Sequence, residues 1–144
     1  MIIDSHCHLT YEPMSNALNE TIDRANKDGI KYMLTISTED KSFEQILKIV
    51  NGYESVYGTY GIHPHEAKSH QHIKSDDIIN KVNQNKKIIG IGETGLDFYY
   101  NHSEKKDQIY SFEEHISAAQ KKNLPLIVHT RSAEKETLQI LEKH

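Results

Sequence analysis

Cys7 is the only cysteine in the 144 residues, so no intrachain disulfide can form and a cysteine-based zinc site is excluded. Arginine is almost as scarce: Arg24 and Arg131 stand alone in a chain otherwise basic through lysine. Those basic residues are dispersed along a chain of formal charge −4, which argues against holding nucleic acid by a basic patch alone. A phosphate substrate is still compatible, because bound dications supply positive charge locally. No apolar run is long enough to cross a bilayer, and Met1-Ile2-Ile3-Asp4 has neither the basic start nor the apolar core of a signal peptide. A cytoplasmic protein with no membrane partner is the expectation. The chain shows no linker, no low-complexity segment and no glycine fingerprint of a dinucleotide site, so residues 1–144 read as one domain.

Histidine, by contrast, is plentiful, with ten in the chain. Two open it, in Ile2-Ile3-Asp4-Ser5-His6-Cys7-His8. On an extended strand Ile2, Asp4, His6 and His8 point one way and Ile3, Ser5 and Cys7 the other. Paired imidazoles on one strand suit a divalent metal, each offering a neutral nitrogen lone pair near the same point. An isolated His-x-His is equally well explained as two polar residues near a terminus. Cys7, on the opposite side, reads as a packed small residue. His70, His72, His102, His115 and His144 sit among polar neighbours and need no special role.

Apolar periodicity then alternates along the chain. Helices are predicted over 15–28 (stopped by Gly29), 40–51 and 76–85, over about 103–122 with Ser103 as cap, and from Ser132 to the last residue. The long fourth helix buries Ile109, Phe112, Ile116 and Ala119. Strands fall at 30–36, 55–62, 87–93 and 126–130. Strand–helix repeated five times implies a parallel sheet with right-handed crossovers. Distinctive polar residues recur at the carboxyl ends of the first, third, fourth and fifth strands, where (β/α)8 barrels place their chemistry. On the fourth strand Ile89, Ile91 and Glu93 share a face. On the fifth, Ile127, His129 and Arg131 do so. A buried carboxylate is costly unless a cation or donors meet it.

Asp4-Ser5-His6-Cys7-His8, Gly61-Ile62-His63-Pro64-His65, Gly92-Glu93-Thr94-Gly95-Leu96-Asp97-Phe98-Tyr99 and His129-Thr130-Arg131 resemble, in order, the motifs of the TatD family of metal-dependent deoxyribonucleases in the amidohydrolase superfamily. The resemblance implies an α/β fold, a TIM-type (β/α)8 barrel of which about the first five β/α units are present. It also implies two divalent ions (Zn, Mn or Mg) and cleavage of DNA phosphodiesters. Carried over by position, His6 and His8 bind one metal, Glu93 bridges both and His129 binds the second. His63 and Arg131 approach the substrate phosphate.

On that resemblance the ions would share Glu93 and an activated water, Asp97 would orient a ligand, and Tyr99 or Tyr100 would stack on a base or pack against the rim. The family's remaining ligands, a histidine after the sixth strand and an aspartate after the eighth, fall beyond His144. A C-terminal half is therefore the expected partner, and strands one and five are expected to have free edges. Two other readings stand beside this one: an amidohydrolase-type enzyme for a small substrate, and an inactive metal-binding fragment.

Overall fold

A computed structural model describes residues 1–144. Five strands, β1 (Ile2–Cys7), β2 (Ile30–Thr35), β3 (Val56–Tyr60), β4 (Ile88–Asp97) and β5 (Leu126–Arg131), alternate with α1 (Leu18–Lys27), α2 (Phe43–Gly52), α3 (Ser75–Val82), α4 (Lys105–Lys122) and α5 (Glu134–Lys143). The strands lie in chain order and every neighbouring pair is parallel. The result is a curled half-barrel, the first five units of the expected (β/α)8 architecture. β1 and β5 each keep one free edge. No helix is long and apolar enough to cross a membrane.

The core lies between the sheet and the helices. Met33, Val56, Ile88 and Ile91 meet Phe43, Ile46 and Val50 of α2, Ile78 and Val82 of α3, and Ala118 and Ala119 of α4. The 43/46/50 and 78/82 spacings put those side chains on one stripe of each helix. A smaller cluster joins Leu96 to Phe112 and Ile116 of α4. The opposite, concave face presents Tyr32, Leu34, Tyr57 and Ile89 around an apolar hollow.

Strand alternation fails where the sheet bulges. Asp4 pairs with Met33 and Cys7 with Thr35, so β1 carries one residue more than β2 between these pairs. The phase changes there, and Asp4 no longer shares the face of His6 and His8. On β4, Gly58 pairs with Ile88 but Thr59 with Gly90, leaving Ile89 as the extra residue. Ile91 turns into the core and is fully buried, while Ile89 stands on the concave face. Ile89, Ile91 and Glu93 therefore do not share a face.

β4 also runs on past Glu93 to Asp97, pairing Thr94, Gly95, Leu96 and Asp97 with Val128, His129, Thr130 and Arg131. The strand was expected to end at Glu93; its register with β5 is irregular between Ile91 and Thr94. Gly92 and Gly95 adopt φ of +134° and +137°, and a Cβ on Gly95 would lie 2.0 Å from the His129 carbonyl oxygen.

Helix starts differ from expectation as well. Residues Met14–Ala17 and Asp40–Ser42 form 3-10 turns ahead of α1 and α2. Ser103 does not cap α4, which starts from Glu104. Its hydroxyl instead donates to the His65 carbonyl and accepts from the Lys68 N–H, tying down the loop after β3. Ser132 sits at φ +52°, and α5 begins at Glu134 and stops at Lys143.

His115 is not among polar neighbours: it is 1% exposed inside α4. The Ile62 N–H donates to its Nε2 at 3.0 Å, and Nδ1 faces the Ser111 carbonyl at 2.6 Å. Nδ1 must therefore carry the single proton of a neutral ring. Burial pushes its pKa down to about 4.

Two consequences are testable. The folded protein resists protonating His115, whereas the unfolded chain protonates near the ordinary histidine value. The stability this ring contributes is thus present above about pH 6.5 and falls away down to about pH 4, by up to about 3 kcal/mol. Urea titrations across that range should show a shallower pH slope in His115→Gln than in wild type; equal slopes would remove the ring from the acid response. Gly95→Ala forces a side chain against backbone that cannot yield, and should cost several kcal/mol or abolish soluble expression. A Gly95→Ala protein with wild-type melting would contradict the β4–β5 approach.

A candidate metal centre at the carboxyl ends of the strands

β1, β3, β4 and β5 each deliver their distinctive residues to one place. Glu93 is 8% exposed and sits at its middle. Its Oε2 lies 3.3 Å from His6 Nε2 and 3.9 Å from His8 Nε2, and its Oε1 lies 3.3 Å from His129 Nδ1. The donor atoms of His6, His8 and Glu93 fall within 4.8 Å of one another, as do those of His63, Glu93 and His129. Two donor groups therefore share one carboxylate.

The backbone under Glu93 is held from both sides. Its N–H donates to the Ser37 carbonyl at 2.8 Å, and the Thr59 hydroxyl donates to the Gly92 carbonyl. Tyr11 stacks on the His8 ring at 4.9 Å and bonds Thr38 through its hydroxyl. His8, Tyr11, Thr38, His63 and Glu93 line a polar cleft of about 360 Å³.

Asp97, fully buried four residues further along β4, is a second anionic anchor. Its Oδ1 accepts from the Tyr99 and Tyr100 N–H groups, and its Oδ2 meets His65 Nε2 at 2.8 Å and His129 Nε2 at 3.2 Å. Burial pushes this carboxyl up, but the Tyr100 N–H and the two imidazoles outweigh it and leave the pKa at about 2. Asp97 thus stays ionised at any physiological pH. Gln108 of α4 clamps the same residue by its main chain, accepting from the Asp97 N–H and donating to the Asp97 carbonyl.

Charge compensation sets the histidine states. Hydrogen bonding to Glu93 raises the His129 pKa, burial opposes it, and Asp97 adds to the rise. Burial pushes Glu93 up, but the His129 hydrogen bond and the nearby His63 and His6 rings bring it below the usual carboxylate range. His63 differs: burial and the neighbouring His129 drive it down to about 4, so the ring is neutral at pH 7. Its Nδ1 accepts from the His65 N–H at 3.2 Å, which places the proton on Nε2. His63 is therefore a neutral donor in this arrangement.

The donor set fits a divalent cation. Ligand atoms about 2.1 Å from one ion are about 3.0–3.4 Å apart at octahedral or tetrahedral angles. The 3.3 Å contacts of Glu93 match that spacing, and exceed the roughly 2.8 Å of a charge-assisted hydrogen bond. Imidazole nitrogens with a carboxylate suit zinc or manganese.

His6, His8, His63, Glu93 and His129 converge as their strand positions suggested. Arg131 stands at the rim, its guanidinium over the rings of Tyr99 and Tyr100. Sequence reasoning gave no role to His65 or Gln108, which hold Asp97. His65 lay inside a recognised motif, whereas Gln108 carried no signal because its partners are main-chain atoms.

Comparison with known proteins agrees with this geometry. The family model described as TatD related DNase matches residues 3–144. An uncharacterized metal-dependent hydrolase of Buchnera aphidicola subsp. Baizongia pistaciae is 35% identical over 99% of the chain and 54% of its own length. The 3'-5' ssDNA/RNA exonuclease TatD of Salmonella typhimurium is 30% identical over 98% of the chain and 54% of its own. The crystal structure of YJJV, a TatD homologue from Escherichia coli K12, superposes with a TM-score of 0.90 at 25% identity, covering 99% of this chain and 56% of that one. The chain spans about half the length of these relatives.

Zinc or manganese should stabilise the chain through these donors. At a hundredfold excess over Kd the gain is about 2.7 kcal/mol, on the order of 5–10 °C in melting temperature. The shift should vanish in Glu93→Gln and shrink below pH 6, where protons compete for the imidazoles. Differential scanning fluorimetry checks this, and an equal shift in Glu93→Gln would remove Glu93 from the donor set.

Proposed function

The chain belongs to the TatD-related DNase family, and from that premise we propose that it carries the N-terminal part of a metal-dependent site that hydrolyses DNA phosphodiesters. The observation that carries this reading is the position of Glu93 between two sets of imidazoles at once, His6 and His8 on one oxygen and His129, with His63 close by, on the other. His6 and His8 would hold one divalent cation and His129 a second, with Glu93 shared between them. Zinc and manganese suit the three imidazoles better than magnesium. When bound, such cations activate water and neutralise charge on a phosphodiester.

The chain's own side chains supply the rest. Glu93 is held ionised among imidazoles, so it needs no proton loss to act as a ligand. Asp97 accepts from His129 Nε2 and so turns His129 Nδ1 toward Glu93. Neutral His63 directs an Nε2–H donor into the cleft, suited to a non-bridging phosphate oxygen. Arg131 presents a planar cation at the rim, over the rings of Tyr99 and Tyr100. The relatives' additional length supports a C-terminal complement as partner. It would pair the free edges of β1 and β5, cover Tyr32, Leu34, Tyr57 and Ile89, and bring the further histidine and aspartate ligands that the family resemblance implies.

The test is metal-dependent turnover of a substrate panel by this chain joined to its C-terminal complement. DNA should be cut, and Glu93→Ala should lose about 10³-fold or more of the rate, several kcal/mol of transition-state stabilisation. Wild-type turnover by Glu93→Ala would refute the assignment. Hydrolysis of small amides with DNA left intact would replace the nuclease reading with an amidohydrolase one.

A further inference from the structure

Two imidazoles of the centre are fixed through their ring nitrogens. His129 places Nδ1 on Glu93 and Nε2 on Asp97, and His63 Nδ1 accepts from the His65 N–H. His8 has no such hold. Its Nε2 lies 3.9 Å from Glu93 Oε2, beyond hydrogen-bond distance. Its Nδ1 is buried and makes no hydrogen bond, although the Ile36 main chain is close enough to act on the ring. A histidine that ligates a metal ordinarily donates its second N–H to a carboxylate or carbonyl, which sets the plane of the ring. Here another contact must set it.

Tyr11, to which the sequence assigned no role, occupies that position. Its ring stacks on His8 with centres 4.9 Å apart and 17° between the planes. The chain turns back to bring the two together, the Tyr11 N–H donating to the His8 carbonyl at 3.1 Å. Water alone could satisfy the hydroxyl of a residue 45% exposed. Instead the hydroxyl meets that of Thr38, which is buried, at 2.7 Å. Thr38 is anchored in turn, its carbonyl accepting from the His63 N–H at 2.8 Å. The adjoining Ser37 accepts from the Glu93 N–H, donates its own N–H to the Thr59 hydroxyl, and donates its hydroxyl to the Gly61 carbonyl. The ring beside His8 is thus tied to the same two residues that hold the main chain at Glu93 and His63.

We propose that Tyr11 is a positioning residue for the metal centre: anchored on Thr38, its ring fixes the His8 imidazole in the plane from which Nε2 ligates the cation shared with His6. The inference rests on reading His6, His8 and Glu93 as one donor group, and adds how one of its ligands is oriented. Rotation about χ2 of histidine is otherwise broad. A stacked ring restricts it without occupying either nitrogen, so Nε2 stays free for the ion. Order present before binding then appears as affinity, because the ion no longer has to arrest a turning ring.

The test follows the His8 ring itself in the intact chain. Nitrogen–proton correlation spectra of the imidazoles are recorded in metal-free protein and then through a chelator-buffered zinc titration. Metal-free wild type should give one sharp set of His8 ring signals, and Tyr11→Ala should broaden or double it. Zinc binding read at His8 should weaken by about 10- to 100-fold in Tyr11→Ala, the span for losing a group that orients a ligand. Zinc binding read at His129 should be unchanged. Tyr11→Phe and Thr38→Val each remove the hydroxyl contact and keep the stack, so their effects should be smaller and equal. Their double variant should be no worse than either alone, since both act through one bond. Thr38→Ser should restore wild-type behaviour.

The near-isosteric Tyr11→Phe and Thr38→Val decide the matter should Tyr11→Ala fail to fold. Sharp His8 signals with unchanged zinc affinity in the variants, equal weakening at His8 and His129, or additive effects in the double variant would each overturn the inference. Failure of the metal reading looks different. Wild-type rings that ignore zinc sink the centre and the role within it, whereas metal-free His8 signals that lose their order in Tyr11→Ala still establish the hold of Tyr11 on that ring.

Discussion

Two buried carboxylates on one strand, Glu93 and Asp97, impose the arrangement around them. Neither ion is tolerable at the edge of an apolar core without compensation. Glu93 receives it from His6, His8 and His129, and Asp97 from His65, His129 and two backbone N–H groups. His129 stands between the two carboxylates with one ring nitrogen on each. The strands that converge on this pair are those whose termini carry histidine. β2 brings none and instead contributes the segment after it, through Ser37 and Thr38.

Burial also sorts the histidines into kinds. His63 and His115 are kept neutral by desolvation, whereas His129 is drawn toward the charged form by its carboxylates. A neutral ring with a defined tautomer can act as a donor at a chosen atom. A ring between two carboxylates exchanges its proton for a cation without changing the local charge balance by much. The same residue type thus serves support and donation and offers a candidate ligand nitrogen within a small volume, and environment alone decides which.

Much of this was legible before any coordinates. The strand–helix alternation gave the parallel sheet, and polar residues at strand ends gave the location of the site. The motifs around His6, Glu93 and His129 pointed to a metal. What alternation could not supply was phase, because single-residue bulges at β1 and β4 are invisible to a period-two pattern and reversed the facing of Asp4 and Ile91. The fourth strand was expected to end at Glu93, and it runs on to Asp97 because Gly95 lets its backbone lie against β5. His115, Gln108 and Ser103 were missed for a different reason. Their partners are main-chain atoms of distant segments, Ile62, Asp97, His65 and Lys68, and main-chain groups leave no trace in residue identity.

Gln108 and His115 lie seven residues apart, two turns along one face of α4. One grips the main chain at the end of β4 and the other the main chain leading into His63. This helix is therefore a common splint for two loops that are far apart along the polypeptide. Cutting the chain before α4 would release both loops together, whereas a break after Asn123 would leave them set, with His129, Arg131 and the rest of the site to be brought by whatever follows. The natural seam for dividing this architecture into exchangeable pieces runs just behind that helix.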